Sequence, residues 1–241
     1  MKKVLITGVT GFVGRHLYSA LKDEFKVIPV SRIDIPNLPR IFGSKEPQVV
    51  INCIGILRGS AEDFRFAHVE LVKNLLDLSV SYGVSRFIHF SALGCDKNEK
   101  SIYHRTKLEG ENLIRESGLS YAILRPSIIL GDGQKLYDDL KFLSSFLPIL
   151  FAPKMKVQPV SIEKVVETVK REIFETESKV IELCGEEIIS MAELFRRILK
   201  ELNIKRPVIE LPKAFFFPVA LLGIGRMDMN AYHMIEDNIC S

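Results

Sequence analysis

Residues 1–21 read MKKVLITGVTGFVGRHLYSAL, and the spacing of the glycines at Gly8, Gly11 and Gly14 decides the fold. Val4, Leu5 and Ile6 form an apolar run without polar alternation, as expected of a strand buried on both faces. From Phe12 onward, Phe12, Val13, Leu17, Ala20 and Leu21 recur at helical spacing, and Lys22, Asp23 and Glu24 close the segment. KVIPVS (26–31) then reads as a second strand. Strand, glycine turn, helix and strand make a βαβ unit, the context in which a glycine pattern carries meaning. In the G-x-x-G-x-x-G spacing, one glycine permits a sharp exit from the strand and another lets backbone N–H groups approach a pyrophosphate. The last lets the helix pack closely on the strand, with the positive end of its dipole toward the phosphates. The alternative is a glycine-rich turn that binds nothing.

A chain of 241 residues can bury a full core as one large domain, or as one domain with a small appendage. The net charge of +3, with no Lys/Arg cluster, does not argue for nucleic acid. Cys53, Cys95, Cys184 and Cys240 have no metal-ligand spacing and read as free thiols in a reducing cytoplasm; no metal site is expected. Val4 already belongs to the first strand, so no signal peptide is expected before it. The longest apolar stretch, AFFFPVALLGIG (214–225), is too short to span a bilayer and is interrupted by Pro218. A buried or surface-packed helix is expected there, with a peripheral membrane or protein-complex contact through 213–225 as the alternative.

IDIPNLPRIFGSKEP (33–47) carries three prolines and reads as mostly loop, with one turn of helix. QVVINCIG (48–55) is a third buried strand, Glu62 to Tyr82 a long helix, RFIHFSA (86–92) a fourth strand, Tyr103 to Glu116 a helix and YAILRPSIILG (121–131) a fifth strand. This alternation predicts an α/β fold with a doubly wound parallel sheet. Residues 1–131 are expected to form the nucleotide-binding domain. Residues 132–241 are expected to form a smaller α/β lobe on the substrate side, partly interleaved with the first. Helices are expected over Leu136–Phe146, over Ile162–Phe174 and after the Ser190/Glu193 capping pair, with short strands in KVIELCG (179–185) and RPVIELP (206–212).

The second strand ends in Ser31 and Arg32, 24 residues after Gly8, and no acid appears before Asp34. A hydroxyl and a guanidinium suit a 2′-phosphate, so NADP is expected, with NAD possible. In SIYHRTKLEGE (101–111), Tyr103 and Lys107 are four apart and share a helix face. A nearby ammonium favours the phenolate and is expected to bring the tyrosine toward an acid/base working range.

TGVTGFVG (7–14) and this Y-x-x-x-K pair resemble the short-chain dehydrogenase/reductase superfamily. VVINCIGIL, HVELVKNLLDLSVSYGVSRFIHFSALG, YHRTKLEGENLIRESGLSYAILRPSIILG and VQPVSIEKVV look like its atypical, extended branch, which is epimerase/dehydratase-like and holds the nucleotide-binding accessory subunit of respiratory complex I and its bacterial relatives. The resemblance implies a Rossmann-type fold in which Gly8, Thr10, Gly11, Phe12, Val13 and Gly14 wrap the pyrophosphate. By the same carry-over, Ser31 and Arg32 take the ribose phosphate, and Cys53, Ile54 and Gly55 pass beneath the adenosine side. Pro126, Ser127 and Ile128 then lie near the nicotinamide. Tyr103 is implied as general acid/base, and Lys107 as its activator and ribose anchor.

Two positions depart from the branch pattern. In FSALG, Ala92 stands where a carbonyl-polarising hydroxyl is usual, leaving Ser91 as the candidate, and His68 replaces a helical asparagine. Two readings follow: an oxidoreductase or epimerase/dehydratase acting on a carbonyl or hydroxyl substrate, or a non-catalytic NADPH-binding structural, assembly or redox-sensing protein. The phenylalanines of KFLSSFLPILF (141–151) and AFFFP (214–218) read as core, or else as the wall for an apolar acceptor.

Overall fold

Six short apolar segments line up in one parallel sheet, the four inner ones buried almost throughout and the two at the edges only in part. In the computed structural model, which describes residues 1–223 and 227–241, they form β1 (Lys3–Thr7), β2 (Lys26–Val30), β3 (Val49–Asn52), β4 (Arg86–Phe90), β5 (Tyr121–Pro126) and β6 (Lys179–Leu183). The strand order is β6-β5-β4-β3-β1-β2, and every pairing is parallel. The chain therefore reverses direction of travel across the sheet between β1 and β3. At such a switch point the loops after neighbouring strands part and leave a crevice.

The chain divides into two units. The first comprises Met1–Pro126 and Ile162–Leu183, the second Ser127–Ser161 and Cys184–Ser241. KVIELCG thus supplies β6 of the main sheet rather than a strand of the smaller lobe, because Lys179–Leu183 pairs with Ala122–Pro126. In the first unit the helices are α1 (Phe12–Leu21), α2 (Leu38–Lys45), α3 (Ala61–Arg65), α4 (Leu71–Ser81), α5 (Ile102–Glu116) and the helix Ile162–Glu172. One core cluster packs Leu5, Val30, Phe42, Val50, Leu75, Phe87 and Ile123 from the sheet and the helices beside it.

Two local readings need correction. The proline-rich segment 33–47 is helical rather than loop: a 3-10 turn spans Arg32–Asn37, and α2 follows with Pro39 in its first turn. A proline there costs nothing, since first-turn N–H groups have no intrahelical partner. The long helix of 62–82 is interrupted by a π-helical segment, Phe66–Glu70, between α3 and α4. Such segments frequently mark functional sites, and this one carries His68.

In the second unit, helix Met191–Glu201 starts at Ser190, whose hydroxyl accepts from Glu193 N–H. Strands Leu150–Pro153 and Val208–Leu211 pair in parallel, with Leu150, Ala152, Val208, Leu194 and Ile198 inside. Cys184 and Cys240 are disulfide-bonded, whereas Cys53 and Cys95 are free. The expectation of four free thiols is therefore wrong for one pair. The C-terminal segment brings them together: Asn238 N–H donates to Lys156 O, Gln158 N–H to Asn238 O, and Cys240 N–H to Gln158 Oε1. Among the described residues no helix is long and apolar enough to cross a membrane.

Candidate dinucleotide and acid/base site

The loop after β1 is shaped by its glycines. Gly8 has φ +70°, which favours glycine, and its N–H donates to Val30 O at 2.9 Å, joining the ends of β1 and β2. A Cβ on Gly14 would lie 2.1 Å from Gly8 O, so only glycine lets α1 pack this closely on the turn. Gly11 precedes α1, and no side chain caps the helix there. The first-turn N–H groups are thus available to an anion.

Around this turn lies a cleft of about 440 Å³ at the switch point. Its lining includes Gly8, Thr10 and Gly11 from the first loop, Arg32 and Ile35 from the second, and Cys53, Ile54 and Gly55 from the third. Seven residues expected from the sequence to hold a dinucleotide therefore share one crevice. A Cβ on Gly11 would meet only Gly8 O, at 3.2 Å, so the turn leaves room for a phosphate. These features fit the dinucleotide. Gly11→Val is expected to lower dinucleotide affinity more than tenfold by placing two methyl groups at this turn, as read by fluorescence titration with NADPH; native affinity would refute the phosphate cradle.

Phe12, Val13 and Gly14 form the start of α1 beneath the turn. Ser31 is placed differently from the expectation. Its N–H and hydroxyl both donate to Asp34 Oδ2, at 2.8 and 2.6 Å, so its proton is committed to a local turn and not to a ribose phosphate. These bonds hold the Asp34 carboxyl below its ordinary value. The cleft instead gains Arg58 and Asp63, which the sequence analysis did not single out. Arg58 follows the third strand within RGS, and its signal is only an isolated cation in a turn.

The third loop is braced from below. Thr7 Oγ1 donates to Asn52 Oδ1 at 2.7 Å, Ile54 N–H donates to the same oxygen, and Asn52 Nδ2 then donates to His89 Nδ1. His68 braces it from the side: its Nε2 accepts Ile56 N–H at 3.1 Å, and its Nδ1 lies 2.9 Å from Thr106 Oγ1. Thr106 donates to backbone carbonyls of α5, so His68 Nδ1 carries the proton. Burial and then the Lys107 charge push His68 down to about 2, so it stays neutral and acts as a clamp between loop and helix.

Helix α5 brings Tyr103 and Lys107, the pair expected to serve as acid/base, to this clamp. Lys107 is buried, and its ammonium donates to Phe90 O at 2.7 Å. It stands 3.0 Å from where a Cβ on Gly55 would be, directly against the cleft lining. Burial lowers it to about 8. The Tyr103 ring is held edge-on by His68 and His104, with centroids 5.5 and 5.1 Å away. The expected lowering of the tyrosine by Lys107 is not found: burial, and then the neighbouring Cys95, raise the phenol above its ordinary value, and the ammonium donates to Phe90 O.

Ser91 does not face a substrate. Its hydroxyl donates to Glu111 Oε1 at 2.5 Å, inside a buried network in which Arg125 grips both carboxylate oxygens at 2.8 and 2.7 Å. Ala92 is buried and offers no hydroxyl. Pro126 ends β5, and Ser127 begins the second unit, where its hydroxyl donates to Asn238 Oδ1 at 2.5 Å. Ile128 packs on the core of that unit. Among the described residues no group of His, Cys, Asp and Glu is placed to hold a metal ion.

Residues 4–163 match the NAD dependent epimerase/dehydratase family. The chain belongs to this family. The cofactor class is accordingly a nicotinamide dinucleotide, and the fold is the Rossmann type expected from the glycine pattern. Among curated relatives, the chain is 26% identical over 245 residues to the mitochondrial NADH-ubiquinone oxidoreductase 40 kDa subunit of Neurospora crassa, covering 89% of this chain and 64% of that one. It is 28% identical over 232 residues to the mitochondrial NADH dehydrogenase [ubiquinone] 1 alpha subcomplex subunit 9 of Dictyostelium discoideum, covering 80% and 62%. The chain thus spans less than two thirds of the length of either relative. Its fold superposes on dTDP-4-dehydrorhamnose reductase from Bacillus anthracis, solved with NADP, with a TM-score of 0.79, 17% identity and 97% of both chains covered.

Proposed function

We propose that this member of the epimerase/dehydratase family binds NADP(H) in the switch-point cleft and acts as an oxidoreductase on a carbonyl or hydroxyl substrate. The observation that carries this reading is the position of Lys107, whose ammonium abuts Gly55 of the cleft while its helix presents Tyr103 one turn away. When bound, the dinucleotide supplies or accepts a hydride. Gly8, Thr10 and Gly11 hold its phosphates, and Lys107 anchors the nicotinamide ribose. Tyr103, which burial keeps protonated, gives its proton to the substrate oxygen during reduction.

Arg32 and Arg58 on the cleft wall support the preference for NADP, as does the commitment of Asp34 to Ser31. Arg32→Ala is expected to cut the preference for NADPH over NADH by about tenfold, since a charge-assisted contact contributes roughly 1.5–3 kcal/mol. Competitive titration reads it, and equal affinity of the unsubstituted protein for both cofactors would refute the preference.

A second reading is favoured by the placement of Ser91 and Ala92, which leaves the usual carbonyl donor missing. In that reading the protein holds NADPH without turnover, as an assembly or structural component, and its likeness to complex I subunits points the same way. NADPH oxidation by the purified protein, screened over apolar ketones and quinones, separates the two. Turnover with any of these supports the enzyme, whereas tight binding without oxidation across the screen supports the second reading.

A further inference from the structure

The second unit breaks the inside-outside rule on one face. In the paired strands Leu150–Pro153 and Val208–Leu211, Leu150, Ala152 and Val208 point inward, and the alternation turns Phe151 and Ile209 outward as register partners. An outward position on a strand pair ordinarily carries a polar side chain, yet here a 47%-exposed phenylalanine stands beside a 44%-exposed isoleucine.

Further exposed apolar side chains lie on the segments that adjoin this pair. Helix Lys135–Phe146 carries Phe142 and Phe146, whose ring centroids are 4.7 Å apart and which are both more than half exposed. Arg206 Nε donates to Ser144 O, and Leu150 N–H donates to Pro207 O, so this helix end and the second strand are neighbours. Beyond the second strand, the turn Lys213–Phe216 and the short helix Phe217–Leu221 expose Phe215, Leu221 and Leu222. The surface-packed helix expected over 214–225 is present in part, as Phe217–Leu221 with Ala220 buried, while Phe215, Leu221 and Leu222 stay exposed; Ile224 and Gly225 lie outside the described residues. Exposed apolar side chains this numerous on adjoining segments mark a contact site.

The charges on the face identify the partner. Helix Lys135–Phe146 and segments 147–154 and 205–223 hold Lys135, Lys141, Lys154, Lys205, Arg206 and Lys213 against Asp138, Asp139 and Glu210. That excess of three equals the net charge of +3 for the whole chain. It stays positive, at two, when Glu236, 3.8 Å from Lys213, is included. Phenylalanine and leucine rimmed by cations form the pattern that enters the headgroup region of a negatively charged bilayer.

We infer that this face of the second unit docks the protein on an anionic lipid surface, with Phe151, Ile209 and Leu221 entering the headgroup layer and the lysines and arginine meeting lipid phosphates. This goes beyond the dinucleotide reading and names the partner of a different surface.

The test is co-sedimentation of the full chain with vesicles of phosphatidylcholine alone or mixed with phosphatidylglycerol. Binding to the mixed vesicles is expected, falling steeply with salt, with at least tenfold weaker binding to phosphatidylcholine alone. Phe151→Ser with Ile209→Ser, and separately Lys205→Glu with Arg206→Glu, should each reduce binding to the mixed vesicles about tenfold or more. NADPH titration should be unchanged in both variants, which shows that they are folded and separates this test from the cofactor reading. Equal binding of variants and parent, or no binding to either vesicle, overturns the proposal. A dimer in sedimentation velocity that the same substitutions abolish overturns it as well, assigning the face to a second copy.

Discussion

Replacing Arg125 by methionine is expected to destabilise the first unit by about 3–5 kcal/mol at neutral pH, because it strands a buried carboxylate. Glu111 is fully buried on α5 and receives Arg125 through two hydrogen bonds, Arg115 through one, and the Ser91 hydroxyl and Cys95 thiol through one each. Burial alone would raise this carboxyl. The bonds from Arg125, Ser91 and Cys95 overcome it and hold Glu111 down at about 2. The folded value lies below the ordinary 4.5, so the stabilisation is present above that value and is lost as pH falls toward 2. It amounts to roughly 3 kcal/mol. Thermal unfolding should therefore show a drop of about 10 °C in midpoint at pH 7, and the gap between the two proteins should narrow below pH 4.5. A variant as stable as the parent at pH 7 would show that the network is replaceable. The same carboxylate accepts the Ser91 hydroxyl, so that proton is committed to the buried network.

The parts of this molecule legible in the sequence are those set by backbone and period. Unbroken apolar runs such as Val4–Ile6 and Val49–Ile51 suit inner strands in a chain that alternates with amphipathic helices, and Gly8 and Gly14 are required by turn and packing geometry. What was missed depended on distant partners. Arg86 in β4 and Arg125 in β5 are charges in buried strands, and such charges must be paired; the sequence could flag the need but not name Glu172 or Glu111. Ser31 looked free for a phosphate because its three-residue reach to Asp34 is a capping arrangement that becomes evident only once the 3-10 turn is recognised. The disulfide joins residues 56 apart in sequence, and no local spacing encodes it. Strand β6 was assigned to the smaller lobe because its partner, β5, precedes it by a long excursion through the second unit.

If Tyr103 is the proton donor, Tyr103→Phe should retain NADPH affinity and lose about 10²–10⁴-fold in turnover. The ring is fixed by His68 and His104 rather than by its hydroxyl alone, so phenylalanine keeps the packing. Lys107→Met separates the two duties of its neighbour. The ammonium is lowered to about 8 by burial, so its charge opposes folding below pH 8, and that opposition fades as pH rises from 8 to 10.5. Methionine removes the buried charge at the cost of the bond to Phe90 O. The variant without cofactor should therefore be no less stable than the parent at pH 7, yet bind NADPH at least tenfold more weakly. In the parent protein, NADPH affinity should fall as pH rises through about 8, where the ammonium loses its proton, and Lys107→Met should abolish that dependence. Calorimetric titration across pH 6.5–9.5 reads both effects. A Tyr103→Phe protein that turns over at the parental rate removes the tyrosine from the chemistry, and a Lys107→Met protein with parental affinity removes the lysine from the cofactor.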